Sequence, residues 1–433
     1  MEGTSDSAHQ ARRAHAAEAR RRGPRARLRI QLTHTFVALR HRHYRLFWSA
    51  RLGTLIGNWM QRVAQGWLVL QLTDSSFWLG IVGFAGAIPV MLLGLFAGVM
   101  VDRADRRRLL ILTQTAAMLL AFLLGILTAT GYVRIWHIVA IVMLMGVVNA
   151  YDGPARQAIM VDMVGKGDLM NAIALNSAAF NIARIIGPPL AGFLIGRVGL
   201  AGPFLLNAVG FLPPIVVLMI IRLDTGPHVS KHMSTWAGLR EGLAYIVQDR
   251  VVSTILTLFG ASGLLAIPYI TLLPVFARDI LGVGPEGLGL MTGAIGVGAL
   301  TSGLMLASLQ GFRSRGWLFT AGNLGLPIVL LVFAWLRWYP LALVALACAG
   351  FAMIMQNTTG NTLIQSTVPD ELRGRVLSAW MWIGMGLTQL GGLQAGAIAD
   401  RWGAPVALSI GALASLAVGV WALWRRPEVR HAA

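Results

Sequence analysis

Three arginines interrupt otherwise apolar stretches of this chain: Arg51, Arg62 and Arg184. A guanidinium stays charged and offers five donors in a fixed fork, so in apolar surroundings it needs an anion, a hydrogen-bonding solute or an aromatic face. Arg51, Asn58, Arg62 and Gln65 follow one another at helical spacings, which puts them on one side of a helix, with Gln61 on the same turn. Ser177, Asn181 and Arg184 repeat the pattern further on. A third cluster, Gln356-Asn357-Thr358-Thr359-Gly360-Asn361, ends a later apolar stretch, and Gln356, Asn357 and Asn361 are its candidate contacts. The chemistry on offer is noncovalent recognition of an anionic or hydrogen-bonding, partly apolar molecule. Asp152 sits near the inner end of another such stretch, and proton coupling would have to use it, an outer residue or the substrate itself. No nucleophile–base pair and no metal-ligand cluster emerges, since the nine histidines fall mostly in the tail and loops. An enzyme, a catalytic residue, a metal and a cofactor are therefore not expected. The absence of Gly-x-x-x-x-Gly-Lys-[Ser/Thr] argues against an ATP-driven machine.

The elements that must position these residues are long and apolar. The 433 residues are 56% hydrophobic and 12% charged, a composition that points to a helical membrane protein. Apolar runs of about 20 residues fit helices crossing a hydrocarbon core, and exclude barrel strands about half that long. About twelve spans are expected, beginning near residues 46, 77, 109, 135, 170, 203, 251, 286, 317, 340, 376 and 404. The fold class read from them is all-α, with two pseudo-symmetric six-helix bundles. The expected division is a basic tail over 1–43, bundles over 44–222 and 251–425, a central loop over 223–250, and a short tail over 426–433. With the N-terminus inside, 28 of the 36 Lys and Arg fall on one side and 5 on the other. By the positive-inside rule both termini are then cytoplasmic. The net charge of +18 thus follows topology, and the basic tail is expected to meet anionic lipid rather than nucleic acid. Cys348, the only cysteine, is expected as an inert core residue.

Between two of these runs lies a charged hairpin, Gly98-Val-Met-Val-Asp102-Arg103-Ala-Asp-Arg106-Arg-Arg-Leu-Leu110. Asp102 at a helix end is placed to pair with a neighbouring helix terminus or an arginine. A related string, Asp400-Arg401-Trp402-Gly403, falls on the opposite side by the count of spans and reads as an exposed turn. The second half echoes the first: Asp168 corresponds to Glu371 and Gly192 to Gly396, offsets of 203 and 204. Such repeats place a solute path between the halves.

These residues resemble the major facilitator superfamily. The hairpin is similar to its signature between the second and third helices, matching at Gly98, Asp102, Arg103, Arg106 and Arg107 and departing at Asp105, where glycine is usual. Asn171 to Asn176, Phe180 to Pro188, Trp59 to Ala64 and Leu273 to Asp279 resemble the enterobactin-exporter-like branch, over essentially residues 44–425. Gly187-Pro188-x-x-Ala-Gly192 is similar to the fifth-helix motif of exporters, whereas the fourth-helix arginine of proton-coupled exporters has no counterpart in Val142 to Gly146. The resemblance implies a monomeric secondary transporter in the bacterial cytoplasmic membrane. It would export a siderophore-like, drug-like or other acidic small molecule by alternating access, with protons as a candidate coupling ion. It also implies that the first and fifth helices line the cavity and that Gly98, Asp102, Arg103 and Arg106 form a latch. A lysophospholipid or lipid flippase on the same fold is the alternative.

Overall fold

The computed structural model describes residues 36–221, 235–309, 314–426 and 428. A 3-10 turn, Val37–Arg40, leads into α1 (Arg42–Thr73), α2 (Ser76–Arg103), α3 (Arg106–Ala129), α4 (Ile135–Gly165), α5 (Gly167–Val198) and α6 (Ala201–Ile220). A shorter helix, α7 (Thr235–Gln248), precedes α8 (Arg250–Ile280), α9 (Gly284–Ser308), α10 (Arg315–Trp335), α11 (Tyr339–Thr367), α12 (Asp370–Trp402) and α13 (Ala404–Arg425). Helix starts fall within a few residues of those expected, because each apolar run is bounded by polar, proline or glycine residues that stop it. Ten of these helices are long and apolar enough to cross a membrane by length and composition. The two others of matching length are α1 and α12. Their polarity has a clear source, since α1 carries Arg42, Arg45, Arg51 and Arg62, and α12 carries Asp370, Glu371, Arg373, Arg375 and Asp400. The stretch expected as a central loop contains α7, which Glu241 ties to Arg375 of α12.

Satisfied helix ends explain the turns. Asp105, the departure from the hairpin signature, is the N-cap of α3: its carboxylate accepts the Arg107 and Arg108 amides at 3.0 and 3.1 Å. A glycine there would leave two donors to water. Asp105→Ala is accordingly expected to cost about 1 kcal/mol of stability, read as a lowered thermal midpoint of the detergent-solubilised protein, with transport retained. Helices α5 and α12 both end on glycines with positive φ, Gly199 at 80° and Gly403 at 85°, again 204 residues apart. Only glycine adopts that extended left-handed conformation cheaply, so the repeat is written into the backbone.

The halves meet from mid-depth to the end farthest from residue 36, the far end. There α2 crosses α12 and α5 crosses α9, each through glycine. A Cβ on Gly80 would lie 2.6 Å from the Gly392 carbonyl, and one on Gly396 2.5 Å from that of Ser76. A Cβ on Gly289 would lie 2.5 Å from the Pro188 carbonyl, and one on Gly192 2.6 Å from that of Pro285. At the near end the equivalent positions Gly94, Gly98, Gly303 and Gly374 face open space. Two polar clasps reinforce the far closure. Asp400 accepts the Ser76 amide at 2.8 Å and the Ser75 hydroxyl at 3.1 Å, capping α2 from the other half. Arg278 pairs with Asp74 and donates to the Leu70 carbonyl at 3.2 Å. The reading of Asp400 as a bare exposed turn is thus corrected, since a carboxylate at a helix N-terminus finds both free amides and a favourable dipole. Arg401 is exposed as expected. Cys348 is exposed rather than in the core.

Candidate functional site

Helix α1 and the turn before it are stitched to α5. His41 meets Asp168 at 2.8 Å, the Ala38 amide donates to Asn171 at 3.0 Å, the Tyr44 hydroxyl to the Ala172 carbonyl at 2.8 Å, and the Trp48 indole to the Leu175 carbonyl at 3.1 Å. Arg51 continues the series by donating to Asn176. Above it, Ala179 and Ala183 of α5 pack on Leu55, Ile56 and Trp59. Gly187 leaves room for α1, because a Cβ there would lie 2.6 Å from that of Trp59.

This packing brings Arg62 and Arg184 to one indole. Their guanidinium carbons lie 5.0 and 5.8 Å from the Trp59 ring centroid, both inside cation–π range. Phe180 meets Trp59 edge-on at 5.6 Å and is 43% exposed, on the α5 face that also carries Ser177 and Asn181. Arg62 is exposed to the interior space, while Arg184 is 8% exposed. Among the described residues no carboxylate makes an ion pair with either arginine. Like charges sharing one aromatic platform repel one another, and an anion between or beside them would relieve that repulsion.

The second half contributes Tyr269, 1% exposed, whose buried hydroxyl has no hydrogen-bond partner among the described residues. It follows a break in α8, where a π turn over Ser262–Ala266 and Pro268 interrupt the regular ladder. Interrupted helices at mid-depth free backbone and side-chain groups for solutes.

The other expected contacts separate. Asn58 and Gln61 turn toward α6, where the Asn207 amide donates to Gln61 at 2.6 Å and to Asn58 at 3.3 Å. They hold the first half together, with Gly57 making room for Asn207. Gln65 stays on the arginine side of α1 and is partly exposed. Ser177 and Asn181 bond back to their own helix, to the Ile173 and Ser177 carbonyls. Gln356, 2% exposed, accepts from Ser262 at 3.3 Å within the second half, whereas Asn357 is exposed and Asn361 accepts from Gln365 at 2.6 Å.

In the hairpin, Arg103 is exposed and Arg106 is buried. Arg106 makes two hydrogen bonds, at 3.0 and 3.1 Å, to Asp162 of α4, and thus pairs within its own half. Arg107 donates to the Leu218 and Met219 carbonyls at 2.6 Å, capping the end of α6. The side chain of Asp102 lies outside the described residues. Gly187, Pro188 and Gly192 of the fifth-helix motif form the α5 surface that receives α1 and α9. Sequence reasoning missed Trp59, Phe180 and Tyr269 as site residues. The signal for the first two was the aromatic one turn before each arginine, at spacings of three and four.

Asp152 is buried on α4, in a shell of its own. It accepts from Thr113 at 3.3 Å and from Gln114 at 2.6 Å and pairs with Arg156. None of these groups belongs to the Trp59 cluster.

Comparison with known proteins gives the arrangement its family. The "Staphyloferrin A transporter" of Staphylococcus aureus (strain NCTC 8325 / PS 47) is 25% identical over 376 residues, covering 86% of this chain and 93% of that protein. The "Multidrug efflux pump Tap" of Mycolicibacterium fortuitum is 28% identical over 384 residues, covering 87% and 93%. Among solved structures, a bacterial homologue of the human lysosomal transporter Spinster superposes with a TM-score of 0.70 at 13% identity, over 90% of this chain and 97% of that one, a likeness of fold. The family model described as "Transmembrane secretion effector" matches residues 33–432. The chain therefore belongs to the transmembrane secretion effector family of the major facilitator superfamily.

Proposed function

We propose that this protein exports a small anionic, partly apolar molecule across the bacterial cytoplasmic membrane by alternating access between residues 44–222 and 251–425. The observation that carries the reading is the pair Arg62 and Arg184 on one indole, without a carboxylate partner among the described residues. An anion with an apolar body would satisfy both guanidiniums and lie against Trp59 and Phe180, with Tyr269 as a donor from the other half. The near end is taken as cytoplasmic from the excess of basic residues there. On that assignment the halves are joined on the outer side, and the open space around Gly94, Gly98, Gly303 and Gly374 supports reading this as the state that loads an export substrate. Relatives named for a siderophore and for multidrug efflux support the same substrate range. Asp102, with Gly98, Arg103 and Arg106 around it, is assigned the inner latch that engages when the halves rock. The transporter is assigned to act as a monomer among membrane lipids.

The test is uptake into everted vesicles of labelled siderophores, anionic dyes and lysolipids, with and without a pH gradient. Accumulation of a soluble anion is the expected result, and its dependence on the gradient reads proton coupling. Movement of lysolipids alone would overturn the reading in favour of a flippase.

A further inference from the structure

At the near end of the first half, Tyr44, Trp48 and Arg51 of α1, Arg156 and Gln157 of α4, and Asn176 of α5 surround a small cleft of about 30 Å³. The charges around it do not balance. Arg156 is neutralised by Asp152, whose other oxygen is taken up by Thr113 and Gln114. Among the described residues Arg51 donates to the neutral amide of Asn176 and no carboxylate pairs with it. The cleft walls thus carry one uncompensated cation beside two aromatic side chains whose own donors are spent on α5 carbonyls. Arg51 lies eleven residues before Arg62, hence on the same face of α1 and about 16 Å nearer the cytoplasmic end.

We propose that this cleft is a vestibule subsite, where Arg51 captures the anionic group of the substrate before it moves to Arg62 and Arg184. The inference rests on the export reading above and names a second anion site on its path. Arg51 sits where a snorkelling side chain would reach headgroup depth, and it donates to the half-buried Asn176 amide of α5. An aromatic wall facing it suits a carboxylate carried on an apolar or aromatic body. The anion would meet the guanidinium inside the cleft while the body that carries it stays at the mouth beside the half-buried Trp48, since Tyr44 and Phe47 are buried. Two stations of like charge, one at the mouth and one at mid-depth, would keep an anion from paying the full desolvation cost in a single step.

The experiment reads the electrostatics of the cleft and needs no identified substrate. In a Cys348→Ser background, Gln157→Cys places a thiol on the exposed rim of the cleft. Its modification rate is measured with an anionic sulfonatoethyl methanethiosulfonate and with the cationic trimethylammonioethyl analogue, each relative to a free thiol. The expected result is about a tenfold preference for the anionic reagent. The preference should survive Arg51→Lys, disappear in Arg51→Gln, and be suppressed by millimolar citrate only while Arg51 is present. Equal rates for the two reagents, or a preference unchanged by Arg51→Gln, would overturn the proposal. Because loss of transport in Arg62 or Arg184 variants is read separately, the vestibule and the export reading can each fail alone.

Discussion

Replacing Arg62 or Arg184 by glutamine is expected to weaken substrate binding about 10- to 100-fold, the range set by losing one hydrogen-bonded charge of about 1.5–3 kcal/mol. The effect on the empty protein should have the opposite sign. Both guanidiniums lie over Trp59, at 5.0 and 5.8 Å from its centroid, with no acid paired to either among the described residues. Removing one charge relieves their mutual repulsion, so the thermal midpoint of the ligand-free variant is expected to hold or rise. A purely structural arginine behaves otherwise: its loss lowers stability and leaves affinity alone. Arg62→Lys keeps the charge but loses the planar fork, and is expected to fall between the wild type and Arg62→Gln. Binding of a transported anion and thermal unfolding, measured on the same preparations, decide the matter. Unchanged affinity in both glutamine variants would remove the pair from the site.

The sequence carried the helices and the two key arginines further than it carried their partners. Apolar runs bounded by polar and helix-stopping residues give span positions directly, and a guanidinium in such a run is conspicuous by its cost. What a helix face meets is a different matter. Asn58 and Arg62 share one side of α1, yet Asn58 reaches Asn207 of α6 while Arg62 reaches inward, because neighbouring helices divide that side between them. Gln61 was drawn the same way, since a buried amide pair satisfies more polar atoms than a cavity wall does. Asp400 illustrates the limit most sharply. Its partner is the start of a helix more than 320 residues earlier, and only the crossing of α2 and α12 brings the two together. Cys348 failed for a related reason: in a membrane protein an apolar helix has outward faces as well as a core, and periodicity does not say which is which. Gly192 and Gly396 were legible as a repeat, but not as the place where the halves close.

That closure yields the second large effect. Gly192→Val and Gly396→Val are expected to fold and insert, yet to lose transport by more than about tenfold. A Cβ at Gly192 would lie 2.8 Å from the Glu286 Cα, and one at Gly396 3.2 Å from that of Phe77. Those are backbone atoms, which no rotamer change moves aside. Both contacts lie between halves, so each half still packs and the strain falls on the far-closed state alone. The population should shift toward the state open at the far end. A thiol at Gln65→Cys is then expected to become more reactive toward an impermeant reagent added from the far side. Gly298 and Gly350 provide the contrast. Their added Cβ atoms would lie 1.8 Å from the Ala347 carbonyl and 2.2 Å from that of Ile295, where α9 and α11 pack within one half. Valine at those positions is expected to reduce the yield of folded protein whatever the transport state. Wild-type transport by Gly192→Val would show that the far ends need not close this tightly during the cycle. Low yield instead of low transport would mean that the α5–α9 crossing holds the fold together rather than gating it.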